Sequence, residues 1–88
     1  MALMFQDTQV LSTAYGAAIS IESGWELLSV TLDDAAIGFK VEIDAGNEEA
    51  APAGSSWGIN TPNDNKQGVS IKVKSDSGTP TASLIWFR

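Results

Sequence analysis

The heptapeptide Ile37-Gly38-Phe39-Lys40-Val41-Glu42-Ile43 decides the fold class. Ile37, Phe39, Val41 and Ile43 alternate with Gly38, Lys40 and Glu42. Successive side chains of a strand point to opposite faces, so this spacing makes one apolar face and one polar face. Asp44-Ala45-Gly46-Asn47 then closes the strand with turn-forming residues.

The same period recurs on both sides. In residues 25–32 (WELLSVTL), Leu28, Val30 and Leu32 share one face, and Trp25, Leu27, Ser29 and Thr31 the other. Residues 68–74 (GVSIKVK) set Val69, Ile71 and Val73 against Ser70, Lys72 and Lys74. Residues 81–87 (TASLIWF) form the last strand, and short strands are expected near 17–21 and 55–59. Pro52, Gly54, residues 60–65 and residues 75–80 supply turns and loops. Residues 9–21 contain several Ala, but Thr13, Tyr15, Gly16, Ile19 and Ser20 weaken a helix there. Short strands with regular turn signals predict an all-β domain. The expected architecture is a small antiparallel β-sandwich, jelly-roll-like or a partial barrel, over residues 17–88. Residues 1–16 are expected to form an extended N-terminal arm. Residues 25–43 and 68–87 are each expected to pair as a hairpin across a short polar loop.

Composition excludes several functions. The 88 residues are enough for one domain. There is no Cys and no His, so thiol nucleophiles, disulfides, Cys/His zinc sites and histidine bases are all absent. The net charge is −6, the opposite of what a phosphate backbone attracts, so no nucleic acid partner is expected. Residues 1–39 hold five acids and no base, whereas residues 40–88 hold six acids and five bases. That asymmetry suits complementary contacts between copies or with a partner. No apolar run is long enough to cross a bilayer. The first basic residue is Lys40, so no signal peptide is expected.

The carboxylate pairs Asp33-Asp34 and Glu48-Glu49 are better explained by turns and surface charge than by catalysis, since neighbours on a strand point apart. Asp44, Asn47, Glu48 and Glu49, or Asn63, Asp64 and Asn65, could offer oxygens to calcium, but neither set has EF-hand spacing. Ser55 and Ser56 follow Gly54 without a G-x-S-x-G elbow, and no phosphate-binding glycine loop occurs. No enzyme, metal or cofactor is therefore expected. Trp57, in a Gly/Ser-rich segment, is expected to fill the core or a subunit contact, with a stacking platform for a glycan as the alternative.

Leu84-Ile85-Trp86-Phe87 is apolar on both faces. A strand with one wet face should alternate, so the arm or another chain must cover the second face. The candidate interface residues are Leu3, Met4, Phe5, Trp57, Ile85 and Phe87, and a homo-oligomer, dimer or trimer, is expected.

The stretch from Leu28 to Phe87 resembles small β-sandwich capsid decoration, or cement, proteins of tailed phages. The resemblance is carried by the alternating strand Ile37–Ile43, the turn at Asp44–Asn47 and the Pro52-Ala53-Gly54 step. The strand Val69–Lys74, the Ser77-Gly78-Thr79 turn and the closing strand Thr81–Phe87 complete it. It implies a non-enzymatic structural protein, made in the host cytoplasm and seated on the virion as an oligomer that bridges capsid proteins. The alternative expectation is a carbohydrate-binding or receptor-binding module using Trp57.

Overall fold

A tight turn flanked by Asp44 and Gly46 joins two paired strands, and the other strands pair in register outward from it. The computed structural model describes residues 4–22, 25, 27–44, 46–60 and 68–87. Asp44 has a φ of 52° and Gly46 a φ of 141°, a combination that a turn Asp tolerates and only Gly adopts without strain. The Asp44 amide donates to the Ser70 carbonyl at 2.9 Å, and the Asp44 carboxylate accepts the Ser70 amide at 3.0 Å. The turn is thereby fixed to a neighbouring strand.

Among the described residues eight strands flank this turn: β1 (Met4–Val10), β2 (Ile19–Ile21), β3 (Leu27–Leu32), β4 (Phe39–Ile43), β5 (Asn47–Ala51), β6 (Trp57–Asn60), β7 (Val69–Ser75) and β8 (Thr81–Phe87). Pairing is nested: β4 with β5, β3 with β6, β2 with β7 and β1 with β8, all antiparallel. Phe39 faces Ala51, Leu27 faces Asn60, Ile19 faces Ile71 and Met4 faces Phe87. Each pair therefore straddles nearly the same midpoint of the chain. The double ribbon then rolls up, joining β3 to β8 and β4 to β7. Two four-stranded sheets result, ordered β1-β8-β3-β6 and β2-β7-β4-β5. This is the eight-stranded jelly roll, so the all-β sandwich expected from alternation is the observed class.

Three expectations are corrected. β3 does not pair with β4, nor β7 with β8; each couple lies in different sheets. Their links, residues 33–38 and 76–80, are longer than a two-residue hairpin turn and cross the roughly 10 Å between packed sheets. Gly38 permits one crossing: a Cβ there would lie 2.7 Å from Asp76 Oδ2 and 3.1 Å from the Ala51 carbonyl. Second, the segment read as an arm contributes β1, whose whole length pairs with β8. Its inward positions hold Phe5, Asp7 and Gln9, so polar residues mask the period-two signal. Third, Asn47, expected to end the turn that closes the preceding strand, begins a strand of its own, Asn47–Ala51, which lacks β-branched residues and is delivered to β4 by that turn.

The core is the set of inward positions: Leu28, Val30, Phe39, Val41, Ile71, Val73, Ala82 and Leu84 are all buried, with Trp25, Trp57, Ile21 and Leu11 around them. Trp25 precedes β3 and is buried, not outward as simple alternation implied.

Nothing lies within 4 Å of a Cβ built on Gly46, so Gly46→Ala tests the backbone alone. The expected cost is about 1–3 kcal/mol. In urea unfolding the midpoint should fall with an unchanged slope.

Candidate functional site

The two outer faces of the sandwich differ in chemistry. On the sheet β2-β7-β4-β5, the outward positions of β7, β4 and β5 are Ser70, Lys72, Lys74, Lys40, Glu42, Glu48 and Ala50. Lys74 lies 3.7 Å from Glu48, and Lys40 lies 3.6 Å from Asp76. The Tyr15 hydroxyl donates to the Glu48 carboxylate, and Lys74 Nζ sits 4.6 Å from the centre of the Tyr15 ring. This face meets water with Lys40 and Lys74 paired to acids and with Lys72 and Glu42 as register neighbours.

The other sheet presents Met4, Gln6, Thr8 and Val10 from β1, and Thr81, Ser83, Ile85 and Phe87 from β8. Leu27, Ser29 and Thr31 of β3 and Gly58 of β6 complete the described positions. None is charged. Met4, Phe87 and Leu27 stand abreast in one row, with Gln6, Ile85, Ser29 and Gly58 in the next. Met4 is 61% exposed, Leu27 40% and Val10 69%. An apolar row continuous with hydroxyl and amide rows, on a chain with a net charge of −6, is the surface best suited to contact with another protein.

The candidate residues divide accordingly. Met4, Ile85 and Phe87 come together on this face. Phe5 points inward and stacks on Trp86, with centroids 5.9 Å apart and planes 13° apart. Trp57 is buried, and its Nε1 donates to Glu49 Oε1 at 3.0 Å. It is therefore not a surface platform for a glycan. Leu3 lies outside the described residues. The expected cover for the last strand takes a different form, because β1 extends the sheet beside β8 and enlarges the outer face. Leu27 and Val10 were missed as members; Leu27's outward position was legible, but Val10 lay in the presumed arm.

The carboxylates serve the fold. Asp33 accepts the Thr81 amide at 3.0 Å and Asp34 the Ala36 amide at 2.9 Å. Both line an open groove of about 530 Å³ with Ala35, Ile37, Gly78, Thr79 and Pro80. Glu48 and Glu49 point to opposite faces of β5, and Asp44 is bonded to Ser70. The first oxygen cluster weighed for calcium is thus dispersed, and the set Asn63–Asn65 lies outside the described residues. Among the described residues no group of three acids is placed to hold a metal ion. Ser55 donates to the Pro52 carbonyl at 2.7 Å.

No family model matches the sequence, and no curated protein matches it. Among solved structures, the chain is similar to a de novo designed double-stranded β-helix determined by solution NMR. The TM-score is 0.58 at 14% identity, covering 98% of this chain and 99% of the designed one. The likeness concerns fold alone and agrees with the nested strand pairing: the protein is a jelly roll of the double-stranded β-helix class.

The tyrosine on the charged face gives a clean test, since the chain has one Tyr. Burial first, and then the Glu48 hydrogen bond, push the Tyr15 hydroxyl well above its ordinary value; the same bond draws Glu48 down. A raised Tyr contributes stability that is complete below pH 10 and lost as pH rises through the folded value. A depressed Glu contributes stability present above its ordinary value and lost as pH falls through the folded one. Tyrosinate absorbance should therefore titrate well above pH 10 in the native protein. Glu48→Gln should move the midpoint down toward the free value; an unmoved midpoint contradicts the contact.

Proposed function

We propose that this chain is a non-enzymatic structural protein that works by docking the charge-free outer face of β1-β8-β3-β6. Its proposed setting is the capsid surface of a tailed-phage virion, where it acts as a decoration or cement protein bridging coat subunits. The observation that carries the docking reading is the segregation of charge. Every described ionisable side chain lies on the other sheet, on inward edge positions or in the connections, and one broad sheet face is left neutral. A protein that only needed to stay dispersed would carry charge on both faces.

Two further points support the reading. Jelly rolls occur among viral capsid and lectin domains, an argument from fold analogy. The side chains weighed as catalytic candidates are engaged in turns and ladders, and the sequence lacks Cys and His. The burial of Trp57 removes the residue on which the glycan-binding reading stood.

The setting is tested by quantitative mass spectrometry of density-purified phage particles from cells that express the gene. A fixed stoichiometry to the major coat protein is expected. Recovery only in the particle-free fraction contradicts the virion assignment.

A further inference from the structure

We infer that the occupant of the charge-free face is a second copy of this chain, stacked face to face about a two-fold axis that runs along the strands. The inference takes its choice of face from the docking reading and adds the partner: the face joins two copies, and the coat subunits are bridged by the surfaces the dimer leaves exposed.

Charge favours this contact over others. Two copies of a chain with a net charge of −6 repel each other through most of their surface. On the opposite sheet Lys40 and Lys74 are engaged by Asp76 and Glu48, and Lys72 stands beside Glu42 in the ladder, so the cations there already face acids of their own copy. The outer face of β1-β8-β3-β6 alone offers a broad approach without like charges.

The sheet edges are blocked. An edge strand is a template for another chain unless an inward charge or a lost donor blunts it. Asp7 takes an inward position in the middle of edge strand β1, in the row of Leu84, Val30 and Trp57. Its carboxylate also accepts the Thr8 amide at 2.8 Å, occupying a backbone donor of that strand. On the other sheet, edge strand β5 carries Glu48 and Glu49, with Glu49 turned inward to Trp57. The other two edge strands, β2 and β6, have only three and four residues, too short to template much pairing, so strand addition is disfavoured and face-to-face packing is the better contact.

The face also complements itself. A two-fold axis along the strands between β8 and β3 lays the Met4–Phe87–Leu27 row of one copy on that row of the other. The hydroxyl rows fall on their own counterparts, as an isologous interface requires. Strands of seven, seven, six and four residues, at about 3.3 Å per residue and about 4.8 Å apart, bury roughly 800 Å² between two copies, the size of a weak, reversible interface.

The chain has no Cys, so single-cysteine variants report the geometry directly. Ser83→Cys places a thiol on β8 of the neutral face, and Ser70→Cys places one on β7 of the charged face. With a short bismaleimide at micromolar protein, Ser83→Cys is expected to give an order of magnitude more covalent dimer than Ser70→Cys. Light scattering of the unaltered chain should give twice 9.3 kDa, and Leu27→Lys should halve that mass with its β-sheet circular dichroism intact. If Leu27→Lys unfolds, the two cysteine variants still decide. Equal cross-linking of both cysteines, or a monomer at every concentration, overturns the inference. A monomer that still binds purified particles through Leu27 and Ile85 overturns self-association and leaves the docking reading standing. A dimer that ignores the particles supports the inference and removes the virion setting.

Discussion

The antiparallel fold-back at residues 44–46 is the constraint from which the other features follow. Once β4 and β5 pair across it, β3 meets β6, β2 meets β7 and β1 meets β8 in nearly continuous register. Register decides which side chains face inward, because a slip of one residue would exchange the two faces of a strand. With β8 seated between β1 and β3, Leu84 and Trp86 line the interior while Ile85 and Phe87 stand outside beside Leu27. The core and the neutral face are two readings of one pairing.

Rolling the ribbon also sorts charge. Strands that carry Lys and Glu at outward positions fall into one sheet, and strands that carry Ser, Thr, Gln and apolar residues fall into the other. The charged sheet uses its groups on one another through Lys74, Glu48, Tyr15, Lys40 and Asp76. Such exposed pairs add little stability; their consequence is solvation of that face. The neutral sheet has hydroxyls and amides to satisfy and apolar area to bury, and contact with a protein surface does both.

Much of this was legible in the sequence where burial is one-sided. Phe39, Val41, Ile71 and Val73 alternate with charged or hydroxyl residues, and each is buried. The two-faced apolar run at Leu84–Phe87 resolves into Leu84 and Trp86 on the inner face and Ile85 and Phe87 on the outer one. Strand partners were not legible, because alternation states which face a residue takes and says nothing of its neighbour; hence the expectation that β3 would pair with β4. Edge strands were hidden for a related reason. β1 places Asp7 and Gln9 inward, and β5 consists of Asn, Glu and Ala, so neither shows the apolar period that marks a central strand. Trp57 could be read both as core and as an exposed platform from its Gly/Ser surroundings; the pairing of β6 with β3 decides it, closing the indole into the core beside Glu49.

The claim that the neutral sheet face is the working surface is tested most directly by methyl and amide NMR of the unaltered chain, compared between micromolar and millimolar concentration. The account predicts concentration-dependent shifts at Met4, Leu27, Ile85 and Phe87, with Lys40, Lys72 and Lys74 unchanged. Shifts confined to the lysine-bearing face would contradict it.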